Sequence, residues 1–136
     1  MEMAIFNLQD YCFTNIQLYL DNLEEETTLS LGFDPRGIFE DNKRFKLIFD
    51  FKAIAEKSGK IVAEVTCEAN YQFRNIISFE SIPAYFFSNS IAIVFPYVRA
   101  IVSTLTLQAN MKRPIILPTM NLSSLQDQLR NQVEIR

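Results

Sequence analysis

Between Ile61 and Phe73 the chain alternates with a period of two. Ile61, Ala63, Val65, Cys67, Ala69, Tyr71 and Phe73 hold one phase; Val62, Glu64, Thr66, Glu68, Asn70 and Gln72 hold the other. So long an alternation fits an antiparallel strand with one face in a core and one in water. The preceding segment behaves alike: Phe45, Leu47, Phe49, Phe51 and Ala53 alternate with Lys46, Ile48, Asp50 and Lys52. Glu56-Lys57-Ser58-Gly59 between them reads as a hairpin turn, with Gly59 free to take positive φ. The hairpin places Lys46 and Lys52 on the same outer face as Glu64 and Glu68, where cross-strand pairs add roughly a few tenths of a kcal/mol and help to set register.

The N-terminal strand is less regular. Its apolar phase runs Phe6, Leu8, then Tyr11, Phe13, then Ile16, Leu18, Leu20. The slips near Asp10 and Asn15 imply either two bulges in one long bent strand or two short strands. Leu29, Leu31 and Phe33 form another alternating run, and Asp34-Pro35-Arg36-Gly37 reads as the turn that ends it.

From Ser88 to Ala109 the period changes to three and four, through Ile91, Phe95, Val98, Val102 and Leu105. This predicts a helix capped by Ser88 or Asn89 and kinked at Pro96. Met111–Met120 carries Pro114 and Pro118 and reads as irregular. Asn121 then caps a short helix in which Leu122, Leu125, Leu129 and Val133 form the apolar stripe. Strands first and helices second predict an α+β fold: a four-stranded antiparallel sheet with two helices on one face. No linker divides residues 1–136, so a single domain is expected.

Composition narrows the chemistry. His is absent, which removes Ser-His-Asp and Cys-His nucleophile arrangements and the commonest metal ligand. Cys12 and Cys67 form no CxxC and read as reduced thiols. Phosphate-cradling glycine motifs are missing, and the chain holds only 3 Gly. The acid run Glu24-Glu25-Glu26 reads as a solvated turn. With 13 basic and 16 acidic residues, the net charge of −3 argues against nucleic-acid binding. The start, Met1-Glu2-Met3-Ala4, lacks the pattern of a signal peptide, and no unbroken apolar run approaches the ~18 residues of a membrane span. No enzyme activity, cofactor, metal or membrane insertion is expected, and a cytoplasmic location is. What the chain has in excess is apolar: 12 Phe and 5 Tyr, several of them at Tyr85-Phe86-Phe87, Phe95 and Tyr97. These serve an ordinary Phe-rich core, a dimer interface or a binding surface.

Phe95-Pro96-Tyr97-x-Arg99, inside an apolar helix, resembles the FPYxR signature of the SecB family of protein-export chaperones. The segment Pro114-Ile115-Ile116-Leu117-Pro118-Thr119-Met120-Asn121-Leu122 resembles that family's crossover loop, and the order of elements agrees. The resemblance implies an ATP-independent holdase, a homotetramer built as a dimer of dimers by helix pairing, that takes unfolded preproteins in apolar grooves and delivers them to the motor SecA. Carried onto this sequence, the groove falls on Leu29, Leu31 and Phe33 of the second strand and on Leu122, Leu125 and Leu129 of the last helix. Motor docking falls on the outer sheet face, at Glu64 and Glu68, while Asn15, Tyr19 and Thr66 stand where the family uses acids. The family's extended tail is not seen after Arg136. A SecB-like chaperone dedicated to one partner, such as an antitoxin, is the alternative. A carrier of a small apolar ligand between helix and sheet is a third reading.

Overall fold

The computed structural model describes residues 5–23, 28–118 and 121–136. The acid run Glu24–Glu26, the first four residues and Thr119-Met120 of the loop lie outside the described residues. Four long strands come first: β1 Phe6–Leu18, β2 Leu29–Glu40, β3 Arg44–Ala55 and β4 Ile61–Phe73. Helix α1 spans Ala84–Gln108, α2 spans Ser124–Asn131, and a short β5, Val133–Ile135, follows. The sheet order is β1-β4-β3-β2-β5. The first four strands pair antiparallel, but β5 runs parallel to β2 at Gly37–Phe39. The fold is α+β with a five-stranded mixed sheet, which corrects the four-stranded antiparallel expectation.

The alternation places the core. The odd positions Phe45–Ala55 of β3 and Ala63–Phe73 of β4 are buried, and α1 lays Phe86, Phe87, Ile91, Val94, Val98 and Val102 on them. Phe86 sits edge-on to Phe6 and Phe45, with ring centroids 4.8 and 4.9 Å apart. Eight of the twelve phenylalanines are buried, so most of the aromatic excess belongs to the core. Two register shifts, between Leu8 and Asp10 and between Phe13 and Asn15, make β1 one bulged strand. They keep Phe6, Leu8, Tyr11, Phe13, Ile16 and Leu18 opposite inward residues of β4. The β3–β4 turn forms at residues 56–59, with Gly59 at φ +73°. Lys52 lies opposite Glu64 at 3.6 Å, and Lys46 reaches Glu68 diagonally at 3.7 Å.

Three local expectations fail for nonlocal reasons. Asp34-Pro35-Arg36-Gly37 is not a turn but the middle of β2, in unbroken register with β3. The Gly37 N–H donates outward to the Gln132 carbonyl at 3.0 Å, so the Pro35 nitrogen, two residues earlier, lies on the same outer edge. Proline is tolerated there because no ladder bond needs its missing N–H. The Phe45 ring fills the space where a Cβ at Gly37 would stand. The hairpin instead turns at Asp41 and Asn42, with φ of 56° and 52°. These residue types tolerate the left-handed region.

Helix α1 begins at Ala84, four residues before the expected cap, because Phe86 and Phe87 are needed in the core. Ser88 and Ser90 lie inside it, and their hydroxyls donate back to the Tyr85 and Phe87 carbonyls at 3.2 and 3.1 Å. Pro96 and Ala92, whose carbonyl the proline leaves unpaired, are both on its exposed side. Ser123, not Asn121, occupies the N-cap position of α2; Asn121 stabilises the turn before it, its Oδ1 accepting from the Ser123 N–H at 3.0 Å. Helix α2 stops at Asn131, so Val133 belongs to β5 and not to the helical stripe.

The two cysteines point to opposite faces of the sheet: Cys67 is buried and Cys12 is exposed. Burial pushes the Cys67 thiol up to about 11, well above its ordinary value. A thiol-alkylating reagent at pH 8 is therefore expected to label Cys12 alone in the native protein and both cysteines in denaturant, as read by mass spectrometry.

Candidate functional site

Strand β2 is the element on which a site forms. Its inner face carries Leu29, Leu31 and Phe33, all half-buried. The parity set by Gly37 turns the N–H and C=O groups of these three residues outward, away from β3. Strand β5 covers this edge only at residues 37–39. From Leu29 to Phe33 the described residues provide no strand on it. An unpaired edge beside apolar side chains is a template for strand addition.

Two segments lie along β2, one beside this open stretch and one just beyond it. The first is the loop after α1, which is tied back onto the helix. Thr106 Oγ1 accepts from the Ile115 N–H at 2.9 Å and donates to the Val102 carbonyl at 2.8 Å. Ser103 Oγ donates to the Ile115 carbonyl at 3.4 Å. Ile115 and Leu117 are thereby buried, and Ile116 between them is 76% exposed. A cavity of about 400 Å³ lies between loop and strand, lined by Leu29, Leu31, Pro114 and Ile116, with Thr28 and Arg113 at its rim.

The second is α2, tied to β2 at Asp34 and Pro35. Gln132, just beyond it, donates from Nε2 to the Pro35 carbonyl at 2.7 Å and to Asp34 Oδ1 at 3.1 Å. Gln128 Nε2 reaches the same oxygen at 3.1 Å. Leu122 and Leu125 are half-buried at the margin of the core. Leu129 is 0% exposed. It fastens α2 to the sheet and presents nothing to a ligand. Leu129→Ala is expected to cost about 2–5 kcal/mol of stability, measured as a shift in the denaturant midpoint.

Of the predicted groove residues, Leu29 and Leu31 line the cavity between loop and strand, Phe33, Leu122 and Leu125 are half-buried against the core, and Leu129 is fully buried. Ile116, in the segment that resembles the family's crossover loop, joins Leu29 and Leu31 in lining this cavity. The Phe33 ring stacks on Phe49 at 5.8 Å and touches Phe95 of α1 at 5.8 Å. Arg99, one turn on, lies over the Phe95 ring at 5.9 Å.

A second apolar surface lies on the far side of α1. Ala92, Ile93, Pro96, Tyr97, Ala100, Thr104 and Leu107 are exposed and uncharged. Tyr97 stacks on Tyr11 of β1 at 4.4 Å, and Ile16 is exposed on the same strand. By length and composition α1 is apolar enough to cross a membrane, though nine of its residues are buried in this fold. The polar face of the sheet is different in kind. There Glu64 and Glu68 face lysines, and Asp50 pairs with Arg36 at 3.2 Å while accepting from Thr66 Oγ1 at 2.6 Å. No group of three metal-ligating side chains occurs among the described residues.

This architecture has a solved counterpart. The SecB-like chaperone of Mycobacterium tuberculosis, in complex with a ChAD peptide from the HigA1 antitoxin, superposes with a TM-score of 0.68 over 85% of this chain and 88% of that one. The fold is SecB-like. At 16% identity the likeness is one of fold. An uncharacterized protein of Methanocaldococcus jannaschii is 29% identical over 123 residues, 85% of this chain and 79% of that protein. No family model matches the chain.

Proposed function

We propose that this protein is an ATP-independent chaperone that holds extended segments of unfolded or partly folded proteins on β2. The observation that carries the reading is the open Leu29–Phe33 edge beside a cavity lined by Leu29, Leu31, Pro114 and Ile116, with Leu122 and Leu125 of α2 proposed as a further wall. Main-chain pairing to such an edge is indifferent to sequence, and the groove rewards alternate apolar side chains. Each client Leu or Phe that leaves water contributes roughly 1.5–3 kcal/mol. Several weak contacts along one client chain reinforce each other through effective concentration. No step needs a titrating catalyst or nucleotide.

Within this reading the α1–β1 apolar face pairs copies of the chain into a dimer, and dimers into a tetramer. Location in the cytoplasm and delivery to SecA belong to the same proposal. Glu64 and Glu68 are its candidate docking carboxylates, and co-purification with SecA, lost on Glu64→Gln plus Glu68→Gln, is the corresponding test.

A second reading, a chaperone dedicated to one partner, draws support from the antitoxin peptide bound by the M. tuberculosis neighbour. A carrier of a small apolar ligand has less support, because Phe39, Phe45, Phe86 and Phe87 fill the space between helix and sheet.

The deciding experiment dilutes a chemically unfolded, slow-folding protein into buffer with this protein and no nucleotide, and follows light scattering. Suppressed aggregation supports general holding. Unchanged aggregation removes it, and tight capture of one protein in a pull-down then supports the dedicated reading.

A further inference from the structure

Arg99 is the one charged residue among the 25 of α1, and it is half-buried. The holding reading does not use it. Residues 95, 99 and 103 form one row along the helix. Phe95 at one end touches Phe33 of β2, and Ser103 at the other bonds Ile115 of the loop. Arg99 is therefore on the side of α1 between Phe95, which meets β2, and Ser103, which meets the loop.

The guanidinium lies on the Phe95 ring, and that ring is its one polar or electrostatic contact among the described residues. That contact engages the face of the cation and leaves its N–H edge open to solvent or to a ligand. Every other cation-bearing strand position on the opposite sheet face, from Arg36 to Lys52, has a carboxylate within 4 Å.

Resting on the groove reading above, we propose that Arg99 is its specificity residue and takes a carboxylate from the bound segment. The client class is then an extended apolar segment with an Asp or Glu next to, or two residues from, an apolar anchor over Phe33. The planar fork of arginine suits bidentate pairing with such a carboxylate.

The test uses the whole protein and two short fluorescent peptides of alternating Leu, Phe and Ala, identical except for a central Asp or Asn. Anisotropy titrations give their affinities. The expected result is about five- to tenfold tighter binding of the Asp peptide. Arg99→Gln is expected to remove this preference while keeping the Asn peptide's affinity, and Arg99→Lys to restore part of it. Equal affinities in the wild type, both abolished by Leu31→Asp, would leave the groove standing and overturn the role of Arg99. That role is equally overturned if Arg99→Gln weakens both peptides to the same extent, or dissociates an oligomer while the preference persists. Failure of both peptides to bind, or their indifference to Leu31→Asp, would overturn the groove reading itself.

Discussion

Replacing Leu31 and Leu125 together by aspartate is expected to raise the dissociation constant for an unfolded client at least about a hundredfold. Two apolar contacts of roughly 1.5–3 kcal/mol each are lost. A client that still entered the groove would also have to dehydrate two carboxylates. In the proposed groove the two positions are on different elements, one on β2 and one on α2, so a segment held between those elements meets both. Both side chains are half-buried, unlike Leu129. Their replacement is therefore expected to lower stability by about 1–3 kcal/mol and not to abolish folding. Far-ultraviolet circular dichroism and a denaturant melt separate lost binding from lost structure. Unchanged client affinity in a folded double variant would remove the groove from β2 and α2.

Features that depend on a residue's immediate neighbours were legible in the sequence. The two slips of phase in the first strand are the two register shifts of β1, because each bulge moves the side-chain alternation by one residue. The inner faces of β3 and β4 were legible for the same reason. What escaped depends on partners distant in the chain. Pro35 carries a turn signal, yet it is an edge-strand residue, because the outer side of β2 has no ladder bond to give there. Val133 fits the helical stripe of Leu125 and Leu129, yet the chain leaves the helix to pair with Gly37. The fifth strand needs only three residues of pairing, too few to show as an alternation. Ser88 has the chemistry of a cap, but burial of Phe86 and Phe87 pulls the helix start past it. Of the candidate site, the half-buried run Leu29, Leu31 and Phe33 was legible as an alternation. How deeply a helical leucine is buried depends on the placement of α2, which leaves Leu125 half-buried and Leu129 fully buried.

Charging the outer face of α1 is expected to convert an assembled protein into a monomer. Ile93 and Tyr97 lie one turn apart on a helix face whose exposed residues carry no charge, and Tyr97 stacks on Tyr11 of the neighbouring strand. A soluble chain that left this face uncovered would expose a contiguous apolar patch of the kind that marks an interface. Pairing α1 with a copy of itself buries it symmetrically, with the same residues on both sides. Two glutamates at Ile93 and Tyr97 put like charges opposite one another across such a twofold and leave them without counter-ions. The dissociation constant of the assembly is then expected to rise at least about a hundredfold. Light scattering coupled to size exclusion should read a multiple of 15.8 kDa for the natural chain and 15.8 kDa for the variant. Groove and α1 face lie on different sides of the helix. The monomeric variant should therefore still bind a short apolar peptide through Leu31 while protecting a long unfolded client less well, since a single groove forgoes the effective concentration supplied by several. A natural chain that already runs as a monomer would overturn the assembly and would leave the apolar face of α1 to another partner.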